Sequence, residues 1–187
     1  MGTKQIGVVF YSKTGATRLL AQHISEGIQS VGANAQIFEI ESQSIIAGRY
    51  QNTPLFEQLT KCDALIFGCP TYMGSPAAQF KAFMDASSDC YVQKAWQNKL
   101  AAGFTSGGSQ NGEQQQTLLA MFALACQHGM LWAGLDVSQF SDDLGLNRTG
   151  SSLGLVASPE PGDPQLVATN DLQTAFYFGQ RIAKLAG

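Results

Sequence analysis

The feature that most constrains the fold is a regular alternation of short apolar runs with segments of helical periodicity. Three runs have the nearly continuous apolar character of strands buried on both faces of a parallel sheet: QIGVVFY (5–11), DALIFGC (63–69) and KLAAGFTS (99–106). AQIFEI is a further strand, and a fifth is expected in MLWAGL or in SLGLVA. Because strand and helix alternate about five times without an internal repeat, the sequence predicts a doubly wound α/β sandwich.

Helical spacing of apolar side chains predicts the segments between these strands. The predicted helices are residues 17–31, a helix opened by Thr53 and Pro54, a helix opened by Ser75 and Pro76, one striped by Leu118, Phe122, Ala125 and Cys126, and residues 171–185. The pattern assigns no role to residues 138–164.

The length of 187 residues is enough for one domain with a full hydrophobic core, and no linker-like stretch divides the chain. We therefore expect a single domain over residues 1–187. Charged residues make up only 13% of the chain, whereas hydrophobic ones make up 44%. A surface so poor in charge favours coverage by a second subunit or a bound ligand, and we expect a homo-oligomer, either a dimer or a tetramer.

Composition disfavours several classes of function. Eleven Lys and Arg against 14 Asp and Glu give a net charge of −3 without a long block of either sign, which argues against a nucleic-acid partner. The first residues lack a secretory signal and no apolar run approaches the ~20 residues of a membrane helix, so we expect a cytoplasmic protein without membrane insertion. Four cysteines without a C-x-x-C pair predict reduced thiols and no metal site.

Three loops that follow predicted strands are rich in Gly, Ser, Thr, Asn and Pro and carry hardly any charge. They are SKTGAT after the first strand, CPTYMGSP after the third and TSGGSQNGE after the fourth. In doubly wound sheets, ligands bind outside the carboxyl ends of the strands, where the strand order reverses. The three loops are therefore expected to form one binding site.

The SKTGAT loop joins a buried strand to a helix N-terminus, where free backbone N–H groups and the helix dipole favour an anion. Ser12, Thr14 and Thr17 add hydroxyl donors. The loop lacks the G-x-x-x-x-G-K-[ST] pattern of nucleoside triphosphate sites and the G-x-G-x-x-G pattern of dinucleotide sites, so one terminal monophosphate suits it best. An ordinary N-capping turn is the alternative interpretation.

The other two loops have the chemistry of a ring-binding site. Tyr72 and Met73 offer apolar surface beside free backbone N–H groups, which suits a planar heteroaromatic ring with polar edges. Gly107, Gly108 and Gly112 let the third loop come close to the same ligand. The alternatives are a turn whose Tyr and Met pack on a helix, and a flexible surface loop.

His128 lies in CQHGM, at the end of the helix that follows the third loop. It is either a donor beside the bound ring or a histidine favoured by the dipole at a helix C-terminus and followed by a glycine stop. His23, next to the apolar stripe of the first helix, is expected at the surface.

Three motifs, YSKTGAT, PTYMGSP and SGGSQNGEQQQTLLAMFALACQHGM, resemble the flavodoxin-like fold family and, within it, the WrbA-type NAD(P)H:quinone oxidoreductases. The likeness extends to about residue 136. It implies a flavodoxin-like three-layer sandwich in which a five-stranded parallel sheet of order 2-1-3-4-5 has helices on both faces. It also implies that residues 1–187 form one FMN-binding domain.

The resemblance gives each matching residue an expected role. The FMN phosphate is expected on Ser12, Lys13, Thr14, Gly15, Ala16 and Thr17, the isoalloxazine ring against Pro70, Thr71, Tyr72, Met73 and Gly74, and further flavin contacts on Ser106, Gly107, Gly108, Ser109, Gln110 and Asn111. His128 matches the family's flavin-side histidine and is the candidate catalytic residue. Tyr91 and Thr14 are placed at the nicotinamide or quinone site. In the family, the aromatic residue at the position of Tyr91 tends to come from a neighbouring subunit of a tetramer.

The activity that the resemblance implies is hydride transfer from NADH or NADPH to flavin N5, then delivery of two electrons to a small-molecule quinone with ping-pong kinetics. Two other functions stay open: a one-electron carrier of the flavodoxin type, and a flavin-binding regulatory module without turnover. Because carriers usually dock through strongly acidic surfaces, the net charge of −3 ranks the carrier second.

Overall fold

A computed structural model of the chain describes residues 2–140, 143–159, 163 and 166–187. The strands are β1 (Gln5–Phe10), β2 (Asn34–Glu39), β3 (Ile45–Ile46), β4 (Arg49–Tyr50), β5 (Ala64–Tyr72), β6 (Ser75–Pro76), β7 (Leu100–Ser106), β8 (Leu131–Trp132) and β9 (Leu155–Ala157). The helices are α1 (Ala16–Ser30), α2 (Thr53–Lys61), α3 (Ala78–Ala86), α4 (Ser88–Val92), α5 (Gln114–Gln127) and α6 (Thr169–Leu185).

The central sheet has the order β2-β1-β5-β7, and its next position is shared by β8 and β9. All of these neighbours pair in parallel. β8 pairs with the start of β7, whereas β9 pairs with its end. The predicted order of five strand positions is confirmed, and both candidate segments contribute to the fifth. The chain leaves the sheet after Trp132 and returns to it at Leu155, and Leu135 N donates to Ser152 O at 3.0 Å between the two points.

Two hydrophobic cores lie on opposite faces of the sheet, because successive side chains of a strand point in opposite directions. Val8 belongs to the core under α1 and α6, and its neighbour Val9 belongs to the core under α2, α3 and α5. The largest fully buried side chains of the second core are Phe67, Phe80, Phe83 and Trp96. Helices therefore cover both faces, as predicted. None of the helices in the described ranges is both long and apolar enough to span a membrane.

α1 and α6 cross at two glycines. A Cβ on Gly27 would lie 1.9 Å from the carbonyl oxygen of Phe176, and one on Gly179 would lie 2.0 Å from that of Ile24. Each helix thus brings a glycine against the other helix's backbone, so the crossing depends on the absence of two side chains.

One predicted helix start and one predicted N-cap are wrong, whereas α2 begins at Thr53 as predicted. Ser75 and Pro76 do not open a helix but form β6, antiparallel to the end of β5, and α3 begins at Ala78. Pro76 is tolerated because a short edge strand does not need its missing N–H. The N-cap of α2 is Asn52 instead of Thr53, since Asn52 Oδ1 accepts a hydrogen bond from Leu55 N at 3.2 Å.

Candidate functional site

The three predicted loops lie at the same edge of the sheet, beyond the carboxyl ends of β1, β5 and β7. Two hydrogen bonds hold the first loop at this edge. Tyr11 N, just before the loop, donates to Gly68 O of β5 at 3.0 Å, and the hydroxyls of Thr17 and Ser106 lie 2.9 Å apart. The first loop is thereby fixed to the middle of β5 and to the end of β7.

The first loop enters α1 through Gly15, which has a φ of 109° at the N-cap position. Ser12 is buried and its Oγ accepts a hydrogen bond from Arg18 N at 3.2 Å. Thr17 is also buried, whereas Lys13 and Thr14 are exposed. The first turn of α1 contains no acidic residue. Buried hydroxyls beside a helix N-terminus, without a carboxylate, suit an anion site, because the first N–H groups of a helix have no partner within it.

The second loop is a tight hairpin, because β5 continues through Tyr72 before the chain turns. Met73 and Gly74 have φ values of 49° and 73°, which is the pattern of a type I′ turn. A methionine is uncommon in this left-handed region. The turn leaves Met73 fully exposed and Tyr72 40% exposed. Two apolar side chains therefore lie open at this edge of the sheet.

A cavity of about 430 Å³ lies between the second and third loops. Its lining comes from Thr71, Met73, Gly74, Gly107, Gly108, Ser109, Glu113 and Gln114. This volume is in the range of small-molecule sites, and the walls are mostly uncharged. The structure thus brings together the two loops predicted to hold a ring, beside the loop predicted to hold a phosphate.

Gln114 is a residue of this site that the sequence analysis missed. It is 2% exposed, and its Nε2 donates to the carbonyl oxygens of Gly107 at 2.9 Å and Ala157 at 3.1 Å. Its Oε1 accepts from Asn111 N at 3.0 Å. One side chain thereby fixes both ends of the third loop against β9. The only signal in the sequence is a glutamine at the start of an apolar helix, and its partners are distant in the chain.

Thr71, on the cavity wall, is held by two hydroxyls that sequence reasoning also missed. Its Oγ1 lies 2.8 Å from Thr117 Oγ1 and 2.9 Å from Thr105 Oγ1. Thr105 and Thr117 are fully buried, and Thr105 donates to Cys69 O. These contacts fix the orientation of the Thr71 side chain in the cavity wall.

His128 and Tyr91 lie at the opposite edge of the sheet. The 14 residues of α5 separate His128 from the third loop by about 20 Å, at a rise of ~1.5 Å per residue. Asn98 N donates to Gly129 O, which puts this helix end beside the start of β7. The rings of Tyr91 and His128 contact each other edge to face, with centroids 6.0 Å apart. Within one chain, these two residues are thus brought together but are kept away from the cavity.

The hydrogen bonds of His128 define its tautomer. Ser87 Oγ donates to Met84 O at 2.7 Å, so the bond of 2.9 Å between Ser87 Oγ and His128 Nε2 must be donated by the imidazole. Nδ1 is then an acceptor, and it has no partner among the described residues. Burial lowers the pKa of His128 from its ordinary value of 6.5 to about 4. The imidazole is neutral near pH 7.

Protein stability is expected to fall on the acid side because of His128. Between pH values of about 6.5 and 4 the unfolded chain binds a proton that the native chain does not, so the free energy of unfolding decreases as the pH is lowered. From pH ~7 to pH ~5 this one group accounts for a loss of about 2 kcal/mol. Urea unfolding at the two pH values measures the loss, which should shrink in His128→Gln but not in His23→Gln, where the histidine is more exposed. Equal losses in all three proteins would contradict the assignment.

The cavity holds no metal-binding cluster: the described part of the chain contains no group of three or more His, Cys, Asp or Glu side chains suited to an ion.

Cys62, Cys69 and Cys90 are buried free thiols, and Cys126 is an exposed one. Burial raises the pKa of Cys62 and of Cys90. These thiols are protonated near pH 7 and are poor nucleophiles.

Proteins of several kinds resemble this chain along most of its length. Residues 8–135 match the family described as NADPH-dependent FMN reductase. Flavodoxin FldP of Pseudomonas aeruginosa (strain UCBPP-PA14) is 36% identical over 95% of this chain and 94% of its own length. Quinone-oxidoreductase QR2 of Triphysaria versicolor is 31% identical over 98% of this chain and 95% of its own length. The crystal structure of a flavodoxin, a WrbA-like protein from Agrobacterium tumefaciens, shares 33% identity and a TM-score of 0.76 over 98% of each chain, which confirms the predicted flavodoxin-like fold.

Proposed function

Because this chain belongs to the NADPH-dependent FMN reductase family, we propose that it is an FMN-dependent oxidoreductase that passes electrons from NAD(P)H to quinones. The observation that carries the proposal is the mostly uncharged cavity between the second and third loops, next to an anion site at the N-terminus of α1. A molecule with a flat ring at one end and a single phosphate at the other matches both. The proposal treats residues 1–187 as one FMN-binding domain.

The residues present fit FMN. Thr17 and Ser12 are buried hydroxyl residues at the start of α1, where the phosphate would lie. The ring would lie between the two loops that line the cavity, near Thr71 and Met73 on one side and Gly107 on the other. The proposed set is Ser12, Lys13, Thr14, Gly15, Ala16, Thr17, Pro70, Thr71, Tyr72, Met73, Gly74, Ser106, Gly107, Gly108, Ser109, Gln110 and Asn111. Gln114 supports the third loop, which contains residues 106–111 of this set.

FMN, when bound, supplies two-electron chemistry at N5 of its ring. The chain's own residues position the ligand: Thr17 and Ser106 fix the phosphate end, and Gln114 and Thr71 fix the walls around the ring. Among the residues that the structure describes, Glu113 is the one acid or base that lines the cavity. Because the donor and the acceptor would both reach the ring through this cavity, they are expected to occupy it in turn, which gives ping-pong kinetics.

Tyr91 and His128 enter this proposal only through a second copy of the chain. They lie at the far end of α5 from their own cavity, and Tyr91 is 52% exposed. We propose that the protein is a homo-oligomer, a dimer or a tetramer, in which this pair faces a neighbouring subunit's site beside Thr14 and the nicotinamide or quinone. Since the imidazole is neutral and its Nε2–H is donated to Ser87, its role there is to accept a hydrogen bond through Nδ1 rather than to carry a charge. A cytoplasmic location stays a prediction.

The experiment that tests the function is steady-state oxidation of NADH and NADPH by FMN-reconstituted protein with benzoquinone as acceptor. Absorption bands near about 370 and 450 nm should first show that FMN is bound. Rapid oxidation that depends on the quinone, with parallel double-reciprocal plots, is the expected result. Failure to bind FMN, or bound FMN without quinone-dependent turnover, would reject the proposal.

A second candidate is a flavodoxin-type electron carrier, favoured by the 36% identity to Flavodoxin FldP. Carriers exchange electrons with protein partners, so they do not need to oxidise NAD(P)H themselves. The same assay separates the two functions: a carrier would be reduced only when a separate reductase is added, whereas a quinone reductase is reduced directly by NADH or NADPH. A regulatory module would bind FMN and show neither reaction.

Replacing Gln114 by leucine is expected to weaken FMN binding by about tenfold. Leucine leaves the carbonyls of Gly107 and Ala157 and the N–H of Asn111 without their partner, which costs on the order of 1–3 kcal/mol in a buried setting. Titration of the apoprotein with FMN measures the change. Gln116→Leu, on the exposed side of the same helix turn, is the control, and equal affinity of the two variants would show that Gln114 does not support the loop.

A further inference from the structure

One side chain on the cavity wall carries a charge. Of the eight lining residues, seven are Gly, Ser, Thr, Met or Gln, and the eighth is Glu113. Glu113 is exposed and occupies the N-cap position of α5, directly after the third loop. The charged side chain among the described residues that line the cavity is therefore a carboxylate.

Glu113 reaches across the mouth of the cavity. A Cβ built on Gly74 would lie 3.5 Å from Glu113 Cγ and 3.6 Å from its Cβ. The stem of the glutamate thus packs against the turn of the second loop, although its backbone belongs to the third. The carboxylate forms no ion pair or hydrogen bond with any residue of the described part of the chain. Its charge is available to whatever enters between the two loops.

We propose that Glu113 selects the electron acceptor by charge, favouring neutral quinones over anionic ones. The inference rests on the proposed function, because it concerns the acceptor that enters the same cavity. A carboxylate at the mouth repels an anionic group on the acceptor and leaves a neutral ring unaffected, so it acts by rejecting one class of ligand.

The charges of the site are separated in a way that supports this selection. Lys13, the cationic residue of the first loop, belongs to the proposed phosphate end, whereas Glu113 belongs to the ring end. Anionic groups are thus favoured at one end and disfavoured at the other. The N-terminal dipole of α5 offsets part of the Glu113 charge, so we expect an effect of a few-fold rather than several orders of magnitude.

The test compares wild-type holoprotein with Glu113→Gln, using 1,2-naphthoquinone as the neutral acceptor and 1,2-naphthoquinone-4-sulfonate as the anionic one. The substitution should raise the ratio of kcat/KM for the sulfonate to kcat/KM for the neutral quinone by about three- to tenfold at low salt. The gain should largely disappear at about 0.5 M NaCl, where the Debye length is short. Glu57→Gln, which removes an exposed carboxylate from α2, is the control and should leave the ratio unchanged.

A binding measurement separates this inference from the proposed function. The dissociation constant of anthraquinone-2-sulfonate for oxidised holoprotein, followed by the change in flavin absorbance, should fall by a similar factor in Glu113→Gln and needs no turnover. Absence of turnover in the wild-type protein would reject the proposed function. The dissociation constants would still test the role of Glu113. An unchanged ratio and dissociation constant, or equal gains in Glu57→Gln, would overturn the role of Glu113.

Discussion

Replacing Thr17 by valine is expected to weaken FMN binding by about 30-fold. Thr17 is 1% exposed in the first turn of α1, and its hydroxyl lies 2.9 Å from that of Ser106. Valine has nearly the same shape, so the substitution removes the hydroxyl without opening space. A hydrogen bond to a charged group is worth about 1.5–3 kcal/mol. The Thr17 hydroxyl would make such a bond to the FMN phosphate in a buried setting. Fluorescence titration of FMN with apoprotein measures the dissociation constant.

Lys13→Ala is the matched comparison in the same loop. Lys13 is exposed, so water screens its charge and its loss should weaken FMN by only about threefold, less at higher salt. A comparable loss of affinity in the two variants would contradict the view that the phosphate is held by buried hydroxyls and backbone N–H groups. A large loss of FMN affinity in Lys13→Ala with no loss in Thr17→Val would show instead that the lysine charge holds the phosphate.

Replacing Gly27 by alanine is expected to destabilise the protein by about 3 kcal/mol. In an exposed helix interior, alanine is more favourable than glycine by about 1 kcal/mol, so propensity alone predicts the opposite sign. The new methyl group would lie 1.9 Å from the carbonyl oxygen of Phe176, and backbone cannot rotate away as a side chain can. α6 must therefore shift from α1, which loosens packing around Ile24 and Phe178. The midpoint of urea unfolding at constant m-value measures the loss.

Two further variants make the result specific to the helix crossing. Gly179→Ala places a methyl group 2.0 Å from the carbonyl oxygen of Ile24 and should cost a similar amount. Ala123→Gly, on the exposed side of α5, should cost no more than about 1 kcal/mol, as propensity predicts. Unchanged or increased stability of Gly27→Ala would show that the crossing can widen without loss.

The chemistry of the loops is legible in the sequence because it depends on residue types near each other in the chain. SKTGAT after a buried strand predicts an anion site since the helix N-terminus and its hydroxyls are all local. Gln114 shows the opposite case. Its three partners are Gly107, Asn111 and Ala157, and the last is brought to it only when β9 pairs with β7.

His128 shows a second limit of sequence reasoning. The motif CQHGM fixes its place at a helix end but not the edge of the sheet to which that end belongs. The length of α5 decides this, because a helix that starts at the ligand edge and returns to the next strand must end at the other edge. The predicted contact of His128 with flavin therefore requires a neighbouring subunit, and it stays a prediction.

The sequence by itself determined the alternation of strands and helices and the three polar loops, whereas the order of the sheet was implied only by the family resemblance. The alternation and the loops follow from hydrophobic periodicity and from glycine and hydroxyl residues, which act within a few positions of each other. Only the tertiary structure decided that the fifth strand is shared by two segments, that Glu113 lies over Gly74, and that two glycines let α1 meet α6. Such contacts join residues far apart in the chain, so their geometry exists only once the whole sheet has formed.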